Sequence, residues 1–243
     1  MTDDATDAGW ASLFSGGKDS SFALYRALER DLPVERLLTV HPDGDSYMYH
    51  VPATELASLA AESIGIEPYD VRPDDLAGDA GHDSGPRGDR ELEPLAAALR
   101  AIDSDLDGGL GGVTAGAVDS EYQTSRIEAL CDRLDVDLFA PLWQRDPWGL
   151  ADEMLDAGFV IRIVRVAAAG LGRDWLGRTL DRDALSDLRA LDEQYGVHPL
   201  GEGGEFETLV VDGPHMSRPI ELDYEREWDG TRGRLRITDA TLG

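Results

Sequence analysis

Apolar and polar positions fall in blocks whose period changes along the chain. Trp10 to Phe14 is a short apolar run that predicts a buried strand, and it leads straight into Ser15-Gly16-Gly17-Lys18-Asp19-Ser20. From Ser21 to Arg30 the spacing is helical, with Ala23/Ala27 and Leu24/Leu28 at i,i+4, and Pro33 closes that unit. Leu37 to Val40 predicts a second strand. Pro52 stands where a helix would start and Gly65 where it would stop, and Ile66 to Val71 predicts a third strand. A helix over Glu91–Ile102 follows. After a GGLGG stretch come a strand over Val113–Val118, a helix over Gln123–Leu134 and a short strand over Leu138–Ala140. This alternation predicts an α/β fold, a doubly wound parallel sheet with helices on both faces. Ligands of such sheets bind beyond the carboxyl ends of the strands, where the Ser15–Ser20 turn falls.

From Pro141 onward the texture differs. Pro147 opens a helix that ends at Gly158, Phe159 to Val166 is strongly β-like, and Asp181 to Tyr195 is a charged helix ending at Gly196. Phe206–Val211, Pro219–Tyr224 and Arg234–Thr238 read as strands with little helix between them. The expected division is a domain over 9–140 and a second, smaller α+β domain over 141–243, with no internal repeat. Residues 73–90 are dominated by Asp, Gly and Pro and read as a solvated loop.

Charge changes the picture of the surface. Lys plus Arg number 22 against 49 Asp plus Glu, a net charge of −27, and the acidic residues are spread over the whole chain. Such a chain repels itself at ordinary ionic strength. At about 1 M salt the Debye length falls to roughly 3 Å and the cost shrinks. A halophilic surface is therefore expected; docking on a basic partner is the other reading. No basic stripe supports nucleic-acid binding. The single cysteine, Cys131, excludes an intrachain disulfide or a Cys-based metal site, and reads as a small buried helix residue. No apolar run approaches the ~20 residues of a membrane span. The first eight residues, MTDDATDA, are acidic and polar, unlike a signal peptide. A cytoplasmic protein without membrane contact is expected. A homo-oligomer is compatible with the chain, whose sequence does not set the oligomeric state.

The Ser15–Ser20 turn has the chemistry of an anion site. Gly16 and Gly17 allow a tight turn and close approach. The following helix N-terminus offers free N–H groups and the positive end of its dipole. Ser15 and Ser20 add hydroxyl donors, and Lys18 a point charge. Asp19 would repel a bare phosphate, which points to a bridging Mg²⁺. The spacing is not that of a Walker A loop, because Asp19 follows Lys18. A plain glycine turn beside a capped helix is the bland alternative. Against it, Lys18 is the only lysine in a chain that uses arginine everywhere else.

A second cluster, Gly201-Glu202-Gly203-Gly204-Glu205-Phe206-Glu207-Thr208, sets three carboxylates on a glycine-rich turn. Crowded carboxylates repel unless a cation or proton lies among them. They read as a site for a cationic substrate group, for ammonium or for a metal, or as an acidic turn in an acidic protein. Ser120, Tyr122, Gln123 and Arg126 lie at a strand-to-helix junction where a nucleotide could sit; helix capping and a surface ion pair are the structural alternative. His50 is a further candidate contact, against a structural histidine. Trp143 and Trp148 read as core or domain-interface residues.

The SGGKDS turn after the first strand resembles the PP-loop ATP pyrophosphatases, of the same doubly wound (HUP-like) fold. That resemblance implies that the loop holds the leaving phosphates of ATP while a substrate oxygen attacks the α-phosphorus. With the Gly116–Glu128 segment (Gly-x-x-x-Ser-x-Tyr-Gln-x-x-Arg-x-Glu), the Gly201–Thr208 cluster, Ala140–Trp143, Trp175–Arg178 and Ser46–His50, the chain resembles the diphthine–ammonia ligase family from about residue 10 to 214. The resemblance implies a nucleotide-binding domain over 9–140 and a substrate domain over 141–243. ATP would adenylate the carboxylate of diphthine on translation elongation factor 2, and ammonia would displace AMP to give the amide. It implies catalytic roles for Lys18, Asp19, Glu202, Glu205 and Glu207. ATP contacts fall to Ser15, Gly16, Gly17, Lys18, Asp19, Ser20, Gly116 and Ser120, with Asp19 holding Mg²⁺. Substrate contacts fall to His50, Tyr122, Gln123, Arg126, Glu202, Gly203, Gly204 and Glu205. Free ammonium is the expected nitrogen source, since no early cysteine could serve as a glutaminase nucleophile. Another PP-loop pyrophosphatase, tRNA-modifying or making a small-molecule amide, and a non-catalytic nucleotide sensor are the alternatives.

Overall fold

The computed structural model describes residues 8–41, 56–72 and 87–243, with side chains from 92 onward in the last segment. His50, the Ser46–His50 motif, Pro52 and most of the acidic 73–90 loop lie outside the described residues.

The first unit alternates β1 (Gly9–Leu13), α1 (Lys18–Leu28), β2 (Val34–Val40), α2 (Ala57–Ile64), β3 (Glu67–Val71), α3 (Arg87–Asp105), β4 (Leu110–Thr114), α4 (Glu121–Leu134) and β5 (Asp137–Phe139). The strands pair in parallel in the order β3-β2-β1-β4-β5. Because β1 lies between β2 and β4, the chain winds one way to β3 and the other way to β5. The crevice at the switch point opens beyond β1 and β4, the ligand-binding place of such sheets. Apolar residues of α1 and α2 cover one face with Leu37; those of α3 and α4 cover the other with Leu38, Val40 and Val113. The doubly wound fold expected from the alternation is the one observed.

Several boundaries differ from the sequence pattern: α1 begins at Lys18 where the pattern marks Ser21, and β2 at Val34 where it marks Leu37. The strand expected over Val113–Val118 is β4 at Leu110–Thr114, so Gly111 and Gly112 are strand residues and not a turn. A Cβ on Gly112 would lie 2.5 Å from the Trp10 ring, so this strand position is glycine because Trp10 packs flat on it. The helix expected from Glu91 starts at Arg87, inside the stretch read as loop.

The second unit holds α5 (Pro147–Asp156), β6 (Val160–Val166), a 3₁₀ turn (Arg173–Trp175), α6 (Arg182–Tyr195), β7 (Phe206–Asp212), β8 (Ile220–Trp228) and β9 (Gly233–Leu242). Asp146 caps α5 ahead of Pro147, and Asp181 caps α6, through side-chain bonds to the amides of Gly149 and Ala184. Its strands form an antiparallel sheet, β7-β6-β9-β8, with β8 and β9 running longer than the sequence pattern marks. The smaller α+β unit is thus present as expected.

The two sheets share a core. Phe22, Leu24 and Ala27 of α1 belong to the same buried cluster as Ile161 and Ile163 of β6 and Leu209 and Val210 of β7. The Phe22 and Phe159 rings meet edge to face at 5.5 Å. Helix α1 is therefore sandwiched between the parallel sheet and β7, which brings residues near 208 to the start of α1. Among the described residues no helix is long and apolar enough to cross a membrane.

Candidate functional site

The end of β1 is anchored before the turn begins. Thr39 of β2 donates its hydroxyl to the Phe14 carbonyl at 2.7 Å, and the buried hydroxyls of Thr114 and Ser12 meet at 2.7 Å. The chain then turns at Gly16, whose φ of +78° favours glycine. The turn closes on itself. The Ser15 amide donates to Ser20 Oγ at 3.2 Å, the two serine hydroxyls lie 3.1 Å apart, and Ser20 Oγ donates to the Gly17 carbonyl at 3.1 Å. Gly17 caps α1 in extended conformation, so the amides of Asp19 and Ser20 have no intrahelical acceptor.

Strand β7 clamps this turn from the other unit. The Val210 amide donates to the Gly16 carbonyl at 2.9 Å, and the buried Lys18 amide donates to Thr208 Oγ1 at 3.2 Å. The Lys18 side chain is only 5 % exposed; its Nζ lies 2.7 Å from Asp19 Oδ2 and 5.9 Å from the Phe206 ring centre. The other Asp19 oxygen, Oδ1, is buried with no hydrogen-bond partner. On the third side Gly116, after β4, lies against the first turn of α1. A Cβ there would sit 2.6 Å from the Asp19 carbonyl oxygen and 2.7 Å from the Ser20 amide.

These elements enclose a cavity of about 290 Å³ at the β1/β4 crevice. Ser15, Gly17, Lys18, Asp19, Ser20 and Glu202 line its polar part, and Leu13, Leu38, Val40, Leu95 and Ile127 its apolar part. An apolar wall beside an anion-binding turn suits a flat heteroaromatic base with a phosphate tail.

The expected site residues divide by position. Ser15, Gly17, Lys18, Asp19, Ser20, Gly116, Ser120, Gln123, Glu202 and Glu207 line the cavity, whereas Gly16 shapes the turn without lining it. Ser120 also caps α4, accepting from the Gln123 amide at 3.3 Å. Tyr122 and Arg126 do not line it. Tyr122 is exposed on α4 with the Arg126 guanidinium 4.2 Å from its ring centre. The three glutamates do not form one cluster. Glu207 is buried and pairs with Arg165 of β6. Glu205 takes the His198 amide on Oε1 at 3.2 Å, while its Oε2 is buried without a partner. Glu202 faces Asp19 and Lys18; burial, then the Asp19 charge, push its carboxyl up to about 7, against the opposing pull of Lys18 and the Asp119 amide. Gly203 and Gly204 form the turn between Glu202 and Glu205 and do not line the cavity.

Three contributors escape a residue-by-residue reading. Thr208 ends the eight-residue acidic motif, yet its hydroxyl serves the Lys18 amide, 190 positions away. Asp119 sits inside the Gly116–Glu128 motif, and His198 lies just ahead of the glycine turn. Their signal is adjacency to a motif; only the fold shows what they touch.

A divalent cation fits this site in one respect, the buried, unpartnered Asp19 Oδ1. Among the described residues no group of three or more His, Cys, Asp or Glu side chains could hold a metal. An ion here would be held by Asp19 together with oxygens of a phosphate ligand.

Comparison with known proteins agrees with the motifs. The diphthamide synthase N-terminal domain model matches residues 9–138, and the diphthamide synthase C-terminal domain model matches residues 146–242. A protein of Danio rerio named diphthine–ammonia ligase is 34 % identical over 219 residues, covering 87 % of this chain and 85 % of its own. The human protein of that name is 34 % identical over 224 residues, covering 88 % and 82 %. A predicted subunit of tRNA methyltransferase from Methanocaldococcus jannaschii aligns over 85 % of this chain and 98 % of its own, at TM-score 0.44 and 16 % identity, too slight a likeness to carry an argument. With both domain models matched in order and relatives at one-third identity over most of its length, this chain belongs to the diphthamide synthase family.

Proposed function

We propose that this protein is an ATP-dependent diphthine–ammonia ligase, which converts the carboxylate of diphthine on translation elongation factor 2 to the amide of diphthamide and releases AMP and pyrophosphate. One observation carries the reading: the only lysine of the chain is buried at the mouth of a helix N-terminus, in a turn closed by two serines, at the switch point of the sheet. The shared name of the curated relatives supports this activity over a tRNA-modifying or sensor role.

In this reading the Ser15–Ser20 turn binds the phosphates that leave, through the Asp19 and Ser20 amides, the serine hydroxyls and the Lys18 ammonium. Leu13, Leu38, Val40 and Ile127 hold the nucleoside. A magnesium ion bound at Asp19 would neutralise phosphate charge. Glu202, across the cavity, faces the incoming acceptor, and its raised affinity for protons suits a group that takes a proton from ammonium as the amide forms. The trimethylammonium group of diphthine is received on the acidic turn. Residues 9–140 and 141–243 supply nucleotide and acceptor sides respectively, and the protein works in a high-salt cytoplasm, in keeping with its charge of −27.

The test incubates the protein with ATP, Mg²⁺, ammonium and diphthine-bearing elongation factor in high salt, and weighs the factor by mass spectrometry. The expected result is the mass change of OH replaced by NH₂, with pyrophosphate and AMP in equal amounts. An unchanged factor defeats the ligase reading; ADP in place of AMP defeats the chemistry.

A further inference from the structure

Outside the groups that would meet ATP, His198 is bonded to the turn that carries Glu202 and faces Asp119. The His198 Nε2 lies 3.3 Å from Asp119 Oδ2. Asp119 in turn neighbours the Glu202 carboxylate and perturbs its proton affinity. The Glu202 backbone amide donates to His198 Nδ1 at 3.4 Å, and the Leu200 amide donates to the same nitrogen at 3.2 Å. Two amides point at Nδ1, so Nδ1 carries the lone pair and Nε2 carries the proton given to Asp119. One imidazole in one tautomer thus lies between the loop after β4 and the turn before β7 that carries Glu202. Glu205 completes the attachment by accepting the His198 amide at 3.2 Å.

We propose that His198 is the positioning residue of the site: through Nδ1 it fixes the backbone of Leu200 and Glu202, and so the place from which the Glu202 carboxyl enters the cavity, while Nε2 faces Asp119. The glycines at 201, 203 and 204 make this necessary. A turn with three glycines in four positions has many conformations to lose, and little of its own to choose among them. The Ser15–Ser20 turn closes on its own serines and is bonded to β7, and His198 makes no hydrogen bond to it. Loss of His198 should therefore impair the step that uses Glu202 and spare the binding of nucleotide. That kinetic consequence rests on the ligase reading; the positioning itself does not.

The full chain is prepared as wild type, His198→Ala, His198→Gln and His198→Asn. The asparagine amide oxygen can replace Nδ1 as acceptor of the two backbone amides. Glutamine reaches the Nε2 position and can donate to Asp119, but leaves the two amides unserved. Hydrogen–deuterium exchange over residues 199–207 should speed up about tenfold or more in the Ala and Gln variants, the effect of unpairing two amides, and stay near wild type in Asn. In the amidation assay Ala and Gln should lose about tenfold or more in kcat with KM for ATP within about twofold, and Asn should recover most of the loss. Unchanged exchange in His198→Ala overturns the proposal, as does rescue by Gln but not Asn, or a loss in KM for ATP equal to the loss in kcat. If Ala does not fold, the Asn–Gln pair decides. A wild-type protein that never amidates the factor defeats the ligase reading, and the exchange experiment still decides for or against His198.

Discussion

Two turns face each other across the cavity, and they differ in how far their closing bonds reach along the chain. Within Ser15–Ser20 the bonds that close the turn join residues no more than five apart. Gly201–Thr208 is shaped by residues remote in the chain: Asp119, Arg165 of β6 and the Lys18 amide. The first closes on its own serines and is then clamped by β7 through Val210 and Thr208. The second exists only when the two sheets are assembled around α1. Their difference separates two kinds of failure, loss of the anion site and loss of the acidic side's alignment.

The largest effect expected is at the local turn. Lys18→Ala should lower pyrophosphate release by about 100-fold or more, the scale of removing one preorganised charge stabiliser. Lys18→Arg should restore little, because a forked guanidinium does not fit a pocket shaped for a compact ammonium. Steady-state kinetics check both, and an arginine variant near wild-type rate would break the distinction. Next comes Gly116→Ala. Its Cβ collides with the backbone of Asp19 and Ser20, so it should cost about 1–3 kcal/mol of stability and weaken ATP binding, read by denaturation and calorimetry. Thr208→Val probes the bond between the two turns. It strips the acceptor from the buried Lys18 amide, and about 1–3 kcal/mol should be lost in urea melts.

Glu202→Gln sharpens the comparison through pH. Burial and then the Asp19 charge raise the Glu202 carboxyl from 4.5 to about 7, with Lys18 and the Asp119 amide opposing the raise and the Asp119 charge adding least to it. The folded chain then holds a proton that the unfolded chain has released, so this group's contribution falls as pH rises from about 4.5 through about 7. Glu202→Gln, in metal-free buffer, should raise Tm at pH 8 and scarcely change it at pH 5. An equal gain at both would place Glu202 away from Asp19. The smallest effect expected is from salt. Raising KCl from about 0.1 M to about 1 M shortens the Debye length from roughly 10 to 3 Å and should raise Tm. It should also slow hydrogen exchange more in 199–207, where carboxylates crowd, than in 15–20.

Much of this fold was legible because its signals are local. The positions of β1, α1, α4, α5 and α6 follow from apolar period, caps and terminal glycines: Gly65 and Gly196 end their helices in the left-handed conformation that glycine allows. The error at β4 has a tertiary cause, since Gly111 and Gly112 look like a turn until Trp10 and Ala8 are seen packed on them. The start of α3 at Arg87 went unread because Gly, Asp and Arg there carry no apolar period. At the site, the glycine turn and the acidic motif were visible as contiguous residues. That Glu207 pairs with Arg165, and that Tyr122 and Arg126 stack outside the cavity, depends on strand register and on which way a helix faces.

The sequence by itself determined that a glycine turn closes between the first strand and helix, because Ser15, Gly16, Gly17 and Ser20 bond to one another within a few residues. Only the tertiary structure decided what faces that turn. Contacts such as the Lys18 amide to Thr208 and His198 to Asp119 join groups far apart in the chain, and their geometry exists only once α1 is buried between the two sheets.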